Sequence, residues 1–337
     1  MRDRHLLMVA ALTAVCLHVG RAHAEAPPAP AAEAAPEAET APAAEVTASP
    51  AVEATPAPAP AAPRPAPPPY TQPWQLRPAA VTTALRLDTA WARYADDGAT
   101  VVGFVSGSYK LAPRFAPFVR LGTVADAPPA GADGGAVFVN PALGLTWMVH
   151  AAPGHRVTAT FATTLPVGMG GGNTPDMSAS ATEKAGLWAR SGMDNAMFAV
   201  NDLGLIAGSD GALMFGKLTL QAEVTLFQLF RVRGADAQAD KTKTNLTSGV
   251  AAGWSFAPWL SASTELRYQR YLSTPVLVDK DGSYRESLSV AVGVRTSFAL
   301  AEGIVSKPGV ALVRGLDDPL DSRGYTTLLL DLPVVFP

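Results

Sequence analysis

The chain has 337 residues, 48% of them hydrophobic and only 16% charged, and a formal net charge of −3. That balance excludes a basic nucleic-acid-binding surface and is short of charge for a soluble one. No apolar run after residue 25 reaches the roughly 18 residues of a spanning helix, so helical membrane spans are excluded too.

Arg2 and Arg4 precede an apolar run over 6–19, and Ala22-His23-Ala24 follows it. A charged start, an apolar middle and small residues at the cleavage site make residues 1–24 a signal peptide, with a mature chain from Glu25. Cys16 is the only cysteine and lies inside this run. Val15 precedes it, where lipid attachment favours a small residue, so neither lipidation nor thiol chemistry is expected of the mature chain. Residues 25–78 are almost entirely Pro, Ala and Glu. Such a composition buries too little apolar surface to offset its ordering entropy. The segment is expected to be a disordered periplasmic linker, extended at about 3.1 Å per residue. Its roles are a spacer or an arm that touches the cell wall or a periplasmic partner.

Residues 79–337 change texture to alternating strands and turns. The period of two predicts strands over 81–93, 101–111, 115–124, 136–150 and 156–165. Further strands follow over 197–207, 213–233, 244–256, 260–271, 286–299, 304–313 and 325–336. Pro308 falls inside the eleventh strand and marks its start or an edge. In the hairpin 244–271, Leu246, Val250, Ala252, Trp254 and Phe256 share one face, and Thr247, Gly249, Gly253 and Ser255 the other. Its second strand sets Leu260, Leu266 and Tyr268 against Ser263, Glu265, Arg267 and Gln269.

The breaks between strands sort by parity. Tight breaks fall at Ala112-Pro113, Ala152-Pro153, 208–211, Ala257-Pro258 and 301–303. Long ones fall at 125–135, 166–195, 234–243, 273–283 and 315–324, and only the first external break, 96–99, is short. An up-and-down barrel with both ends at one membrane face requires this alternation, whereas a soluble sandwich has no reason for it. Aromatics follow the same logic. Trp147, Trp254, Trp259 and Phe336 sit near the tight-turn ends of their strands, and Trp91, Tyr271 and Tyr325 near the opposite ends. Amphipathic rings concentrate at membrane interfaces, and unpaired backbone in lipid forces the sheet to close. The fold expected is all-β: a closed antiparallel up-and-down transmembrane barrel of about twelve strands after a disordered Pro/Ala-rich arm.

From about residue 80 onward the chain resembles the bacterial outer-membrane β-barrel proteins. Its last strand, YTTLLLDLPVVFP, resembles their C-terminal signal, with Leu328, Leu330, Leu332, Val334 and Phe336 at every second position. Pro337 departs from the pattern by following the aromatic. The resemblance implies outer-membrane lipid as the surroundings, handling by the barrel-assembly machinery, and periplasmic N- and C-termini.

On this register Arg86, Asp88, Lys110, Arg120, Arg156, Lys217, Glu223, Glu265, Arg267, Arg295 and Asp331 point inward among small polar neighbours. The predicted function is a narrow pathway for small solutes, with basic residues in excess. The alternative is a non-conducting structural anchor. The 166–195 break contains a predicted helix closed by Gly192. If it folds inward, Glu183, Lys184 and Arg190 are the candidates to constrict the lumen. No enzymatic motif, cofactor site or metal site is expected. His150 and His155 flank a turn and face each other, and Asp279-Lys280-Asp281-Gly282 opens like a calcium loop but lacks the later Glu.

Overall fold

The computed structural model describes residues 69–93, 98–129, 134–192, 194–234 and 239–337. The expected signal peptide, its expected cleavage site and the expected arm up to residue 68 lie outside the described residues, as does part of the break expected at 96–99.

Fifteen strands are described: β1 Thr83–Arg93, β2 Ala99–Ser108, β3 Phe115–Ala127, β4 Gly135–Phe138, β5 Ala142–Ala152, β6 His155–Thr164, β7 Asp202–Phe215 and β8 Leu218–Arg231. They continue with β9 Thr242–Ala257, β10 Leu260–Tyr271, β11 Glu286–Thr296, β12 Phe298–Ala301, β13 Ile304–Ser306, β14 Gly309–Gly315 and β15 Thr326–Phe336. Among the described residues three α-helices lie between strands, α1 Met177–Ala189, α2 Asn195–Phe198 and α3 Val276–Lys280, with a 3-10 turn over Gly282–Arg285.

Twelve strands form one ring, in the order β1-β2-β3-β5-β6-β7-β8-β9-β10-β11-β14-β15. Antiparallel pairing of β1 with β15, from Thr83 opposite Phe336 to Arg93 opposite Thr326, closes it. No edge is left in the ring, as lipid requires. The other three strands are accessories: β4 extends the pairing of β3, and β12–β13 make a small hairpin on β15.

The outer face is apolar around the whole circumference. Leu85, Leu121, Phe161, Leu205, Val224, Val250, Val292, Leu312 and Leu330 are all exposed. The opposite face is buried and polar, carrying Thr158, Thr160, Gln221, Thr247, Ser263, Gln269 and Ser289. A water-soluble barrel has the reverse arrangement, so this belt faces lipid. Trp91, Trp147, Trp254, Trp259 and Phe336 are exposed on the belt, and Phe115 stacks on Trp147 with centroids 6.1 Å apart. Closure, the even strand number and the lipid-facing belt make this a barrel of the bacterial outer-membrane type.

Four local readings change. The turn expected at 208–211 is the middle of β7, and the true turn is Gly216-Lys217, with Gly216 at φ 57°. The strand expected over 136–150 is split into β4 and β5 at Val139-Asn140-Pro141. Asn140 is fully buried there: its Nδ2 donates to the Ala199 carbonyl at 2.8 Å and its Oδ1 accepts from Gly168 N at 2.9 Å. The break therefore ties the wall to the long loop. The strand expected over 304–313 is likewise split, with Pro308 just ahead of β14. Tyr325 is fully buried rather than at the lipid interface, because its hydroxyl donates to the Ala189 carbonyl inside the barrel at 2.9 Å.

Candidate functional site in the barrel lumen

Residues 69–82 run inside the barrel as a hook. One limb enters at the tight-turn rim, where Thr71 N donates to Thr219 Oγ1 at 3.1 Å. The other limb leaves at the same rim, where the Thr82 carbonyl accepts from Ser108 Oγ at 2.9 Å before β1 begins. Tyr70 ties the limbs together: its hydroxyl accepts from Ala79 N at 2.9 Å and donates to Gln221 Oε1 at 2.6 Å. At the tip, Glu265 accepts the backbone N–H groups of Trp74, Gln75 and Leu76 at 2.8 to 3.1 Å. Arg77 N donates to Glu223 Oε2 at 2.6 Å, and its guanidinium reaches Glu223 Oε1 at 3.1 Å, Asp210 Oδ2 at 3.6 Å and the Thr225 hydroxyl. For residues 69–78 this replaces the expected spacer. Pro73 and Pro78 prevent regular structure, but Trp74, Leu76 and Arg77 carry enough apolar and charged surface to seat the chain against the wall.

The wall is cut to fit. A Cβ at Gly208 would lie 2.4 Å from the Arg77 guanidinium, and one at Gly249 2.6 Å from Leu76. One at Gly253 would lie 2.5 Å from Thr71, and one at Gly309 2.7 Å from the Trp74 ring. Four wall glycines, each opposite a different hook residue, leave the space it occupies.

Asp331 anchors the wall beneath Trp74. It accepts from Arg86 Nε at 2.7 Å and from Arg295 Nη2 at 2.6 Å. Arg86 Nη2 also donates to the Trp74 carbonyl at 2.6 Å, and the Arg295 guanidinium lies 4.4 Å from the Trp74 ring centroid. Arg267 Nη1 approaches Glu265 at 3.7 Å.

The long loop fills the other half of the lumen. Asp176 caps α1, accepting from Ala179 N at 3.0 Å, and Gly192 at φ 71° ends the turn that follows. The helix packs on β1 to β4 from inside. Arg190, 1% exposed, donates to both Asp88 oxygens at 2.8 and 3.2 Å and approaches Asp194 at 3.3 Å. Arg120 lies 2.6 Å from Asp194 and 3.6 Å from Asp88, with its guanidinium 4.0 Å from the Phe104 ring centroid. Burial alone would raise the Asp194 carboxyl, but Arg120 and Arg190 overcome it and hold the group well below the usual range.

The sequence-predicted residues thus separate into groups. Arg86, Asp88, Arg120, Glu223, Glu265, Arg267, Arg295 and Asp331 face inward and meet one another, the hook or the loop. Arg156 faces inward with its guanidinium 5.4 Å from the Tyr70 ring centroid. Lys110 and Lys217 are not lumenal: both are exposed at tight turns, Lys110 past the end of β2 at Ser108 and Lys217 ahead of the start of β8 at Leu218. Of the loop residues only Arg190 reaches the charge network. Glu183 and Lys184 line a separate hollow with Asn201, Asp202 and Lys243. His150 and His155 face each other at the rim, Nε2 to Nε2 at 2.8 Å. Asp279 and Lys280 belong to α3, and Asp281 accepts from Ser283 N at 2.9 Å.

Sequence reasoning missed Trp74, Arg77, Asp194 and Asp210. It also missed the buried Asp202, which is paired with Arg231 at 2.6 Å and Lys243 at 2.5 Å. The available signal was a Trp and an Arg inside an otherwise featureless Pro/Ala tract, opposite inward-facing glycines.

Between hook, loop and wall lies a cavity of about 530 Å³. Six cationic side chains line it (Arg77, Arg86, Arg120, Arg156, Arg267 and Lys307) against three carboxylates (Asp88, Asp194 and Glu223).

No family model matches the sequence, and no curated protein matches it. Among solved structures the chain is similar to an outer membrane channel from Pseudomonas putida F1, with 12% identity and a TM-score of 0.49 over 79% of this chain and 100% of that one. It is similar to the NanC porin at 6% identity and a TM-score of 0.46, over 75% and 99% of the two chains. The translocator domain of the autotransporter NalP from Neisseria meningitidis follows at 8% identity and a TM-score of 0.41, over 77% and 89%. None reaches a TM-score of 0.5, so the reading of this lumen rests on its own residues.

Proposed function

We propose that the protein is an outer-membrane channel whose narrow pathway favours small anions and is held nearly shut by the hook and the α1 loop. The observation that carries this is the excess of cations over carboxylates around the lumenal cavity. A charged lumen with low-dielectric walls concentrates counter-ions of the opposite sign. The hook and loop leave room for a small solute rather than a wide porin stream. In this reading both chain ends lie on the periplasmic side.

The test is reconstitution of the full chain in a planar bilayer under a salt gradient. We expect small, anion-selective conductance steps, and larger ones after deletion of residues 70–79. Absence of conductance from both proteins would overturn the pathway and leave a structural anchor.

A further inference from the structure

Most lumenal charges are neutralised by a partner, but Arg156 and Lys307 are not. Neither has a carboxylate within ion-pair distance among the described residues, and both line the cavity. Arg156 rises from β6 beside Tyr70, whose own hydroxyl is committed to Gln221 and Ala79. Lys307 sits in the link between β13 and β14, its backbone N donating to the Pro333 carbonyl at 2.9 Å. Burial pushes the Lys307 ammonium down, and Arg295 and Arg156 push it the same way. Two cations held near each other without an anion are electrostatically incomplete.

Other groups around the cavity are also unsatisfied. Thr160 is 2% exposed, and its hydroxyl has no hydrogen-bond partner among the described residues. The Gln75 amide and Arg267 Nε are buried without hydrogen-bond partners among the described residues. All three residues line this cavity. Buried donors left unpaired are uncommon, and each one needs an explanation. Part of the wall is apolar, with Ala116, Phe118, Ala162, Met197 and Phe227 contributing beside polar Ser106, Thr146 and Thr247. The volume of about 530 Å³ lies within the range of small-molecule sites.

We propose that this cavity is a binding site for a small organic carboxylate with an apolar body, its carboxylate held between Arg156 and Lys307. The apolar wall takes the body, and Thr160 or Gln75 takes a second polar group. The proposal rests on the channel reading and names its solute class.

The experiment titrates the purified full-length protein with benzoate by calorimetry, with benzamide as the neutral control of the same shape. Benzoate is expected to bind saturably and benzamide not to bind. Arg156→Gln combined with Lys307→Gln should weaken benzoate by at least about tenfold, the size of one lost charge-assisted contact. Arg156→Lys keeps the charge and should stay within about threefold of the parent, which separates a lost site from a damaged barrel. Equal binding of benzamide, no saturation with benzoate, or undiminished affinity in the double variant would overturn the site. Bilayer conductance separates the two claims. A conducting channel that ignores benzoate sinks the site alone, and a barrel that binds benzoate without conducting supports the site and sinks the pathway.

Discussion

The backbone N–H of Trp74 donates to Glu265 Oε2 at 2.8 Å, although the two residues are 191 positions apart. Gln75 and Leu76 donate to the same carboxylate, so three successive N–H groups converge on one wall residue. This contact converts the end of a Pro/Ala-rich arm into an internal plug.

Replacing Glu265 with Ala leaves those three donors without their acceptor, at about 1–3 kcal/mol for each that stays buried. The hook tip should detach. The expected outcome is a several-fold rise in single-channel conductance and new chymotrypsin cleavage between Trp74 and Gln75. Glu265→Gln keeps one acceptor oxygen and should fall between. Parent-like conductance and protection in Glu265→Ala would show that the hook is held elsewhere.

The wall glycines give an independent handle on the same plug. Gly309→Ala places a methyl 2.7 Å from the Trp74 ring, and Gly249→Ala places one 2.6 Å from Leu76. Both should loosen the hook and raise chymotrypsin sensitivity at Trp74. Gly211→Ala on β7 is the control, since nothing lies within 4 Å of its Cβ position. Equal behaviour of all three variants would mean that the glycines do not hold space for the hook.

Much of this architecture is legible in the sequence because the barrel imposes two simple regularities. Alternation along 244–271 assigns Val250 and Trp254 outward and Glu265 and Arg267 inward, and the structure places them so. The parity of break lengths sets the strand number. The failures have physical causes. The 208–211 segment reads as a turn because glycine there looks like a loop residue, whereas Gly208 makes room for Arg77. Lys110 and Lys217 fit the alternation, but β2 ends before the first and β8 begins after the second. The hook is hidden because composition averages over a window. The few residues that seat it, Trp74, Leu76 and Arg77, are outnumbered by Pro and Ala.

Arg190 carries the loop's hold on the wall. Arg190→Ala strips Asp88 of its bidentate partner and leaves Arg120 at 3.6 Å as the nearest cation. Breaking a buried pair from one side costs about 3–5 kcal/mol. Amide exchange over 177–192 should accelerate, while exchange in β8 and β9 stays slow. Unchanged protection in α1 would show that its packing, not this ion pair, fixes the loop.

Glu183 makes the docking of α1 depend on pH. Burial raises its carboxyl from 4.5 to about 8, Asp202 adds to this, and Lys184 and Lys243 oppose it. The docked loop therefore keeps a proton that the undocked loop loses above 4.5. Docking is strongest below that value, weakens as pH rises toward 8, and stays at its weakest above. Protection factors in α1, corrected for intrinsic exchange, should fall between about pH 5 and pH 8.5. Glu183→Gln should flatten that dependence, and an unaltered profile in this variant would assign the titration to another group.

Val250 and Ala251 are adjacent in β9, yet they face opposite media: Val250 is 54% exposed on the lipid belt and Ala251 9% exposed inside. The lipid-facing claim can be isolated at this pair. Val250→Arg puts a guanidinium among acyl chains near mid-strand, at about 2–4 kcal/mol. Folding into lipid vesicles, followed by the mobility shift of the closed barrel in denaturing gels, should require correspondingly lower urea. Val250→Leu should fold as the parent does, because the belt accepts any apolar side chain. If arginine at 250 folds as readily as leucine, that face of β9 is not in the membrane. The ring would then need another explanation for its exposed apolar surface.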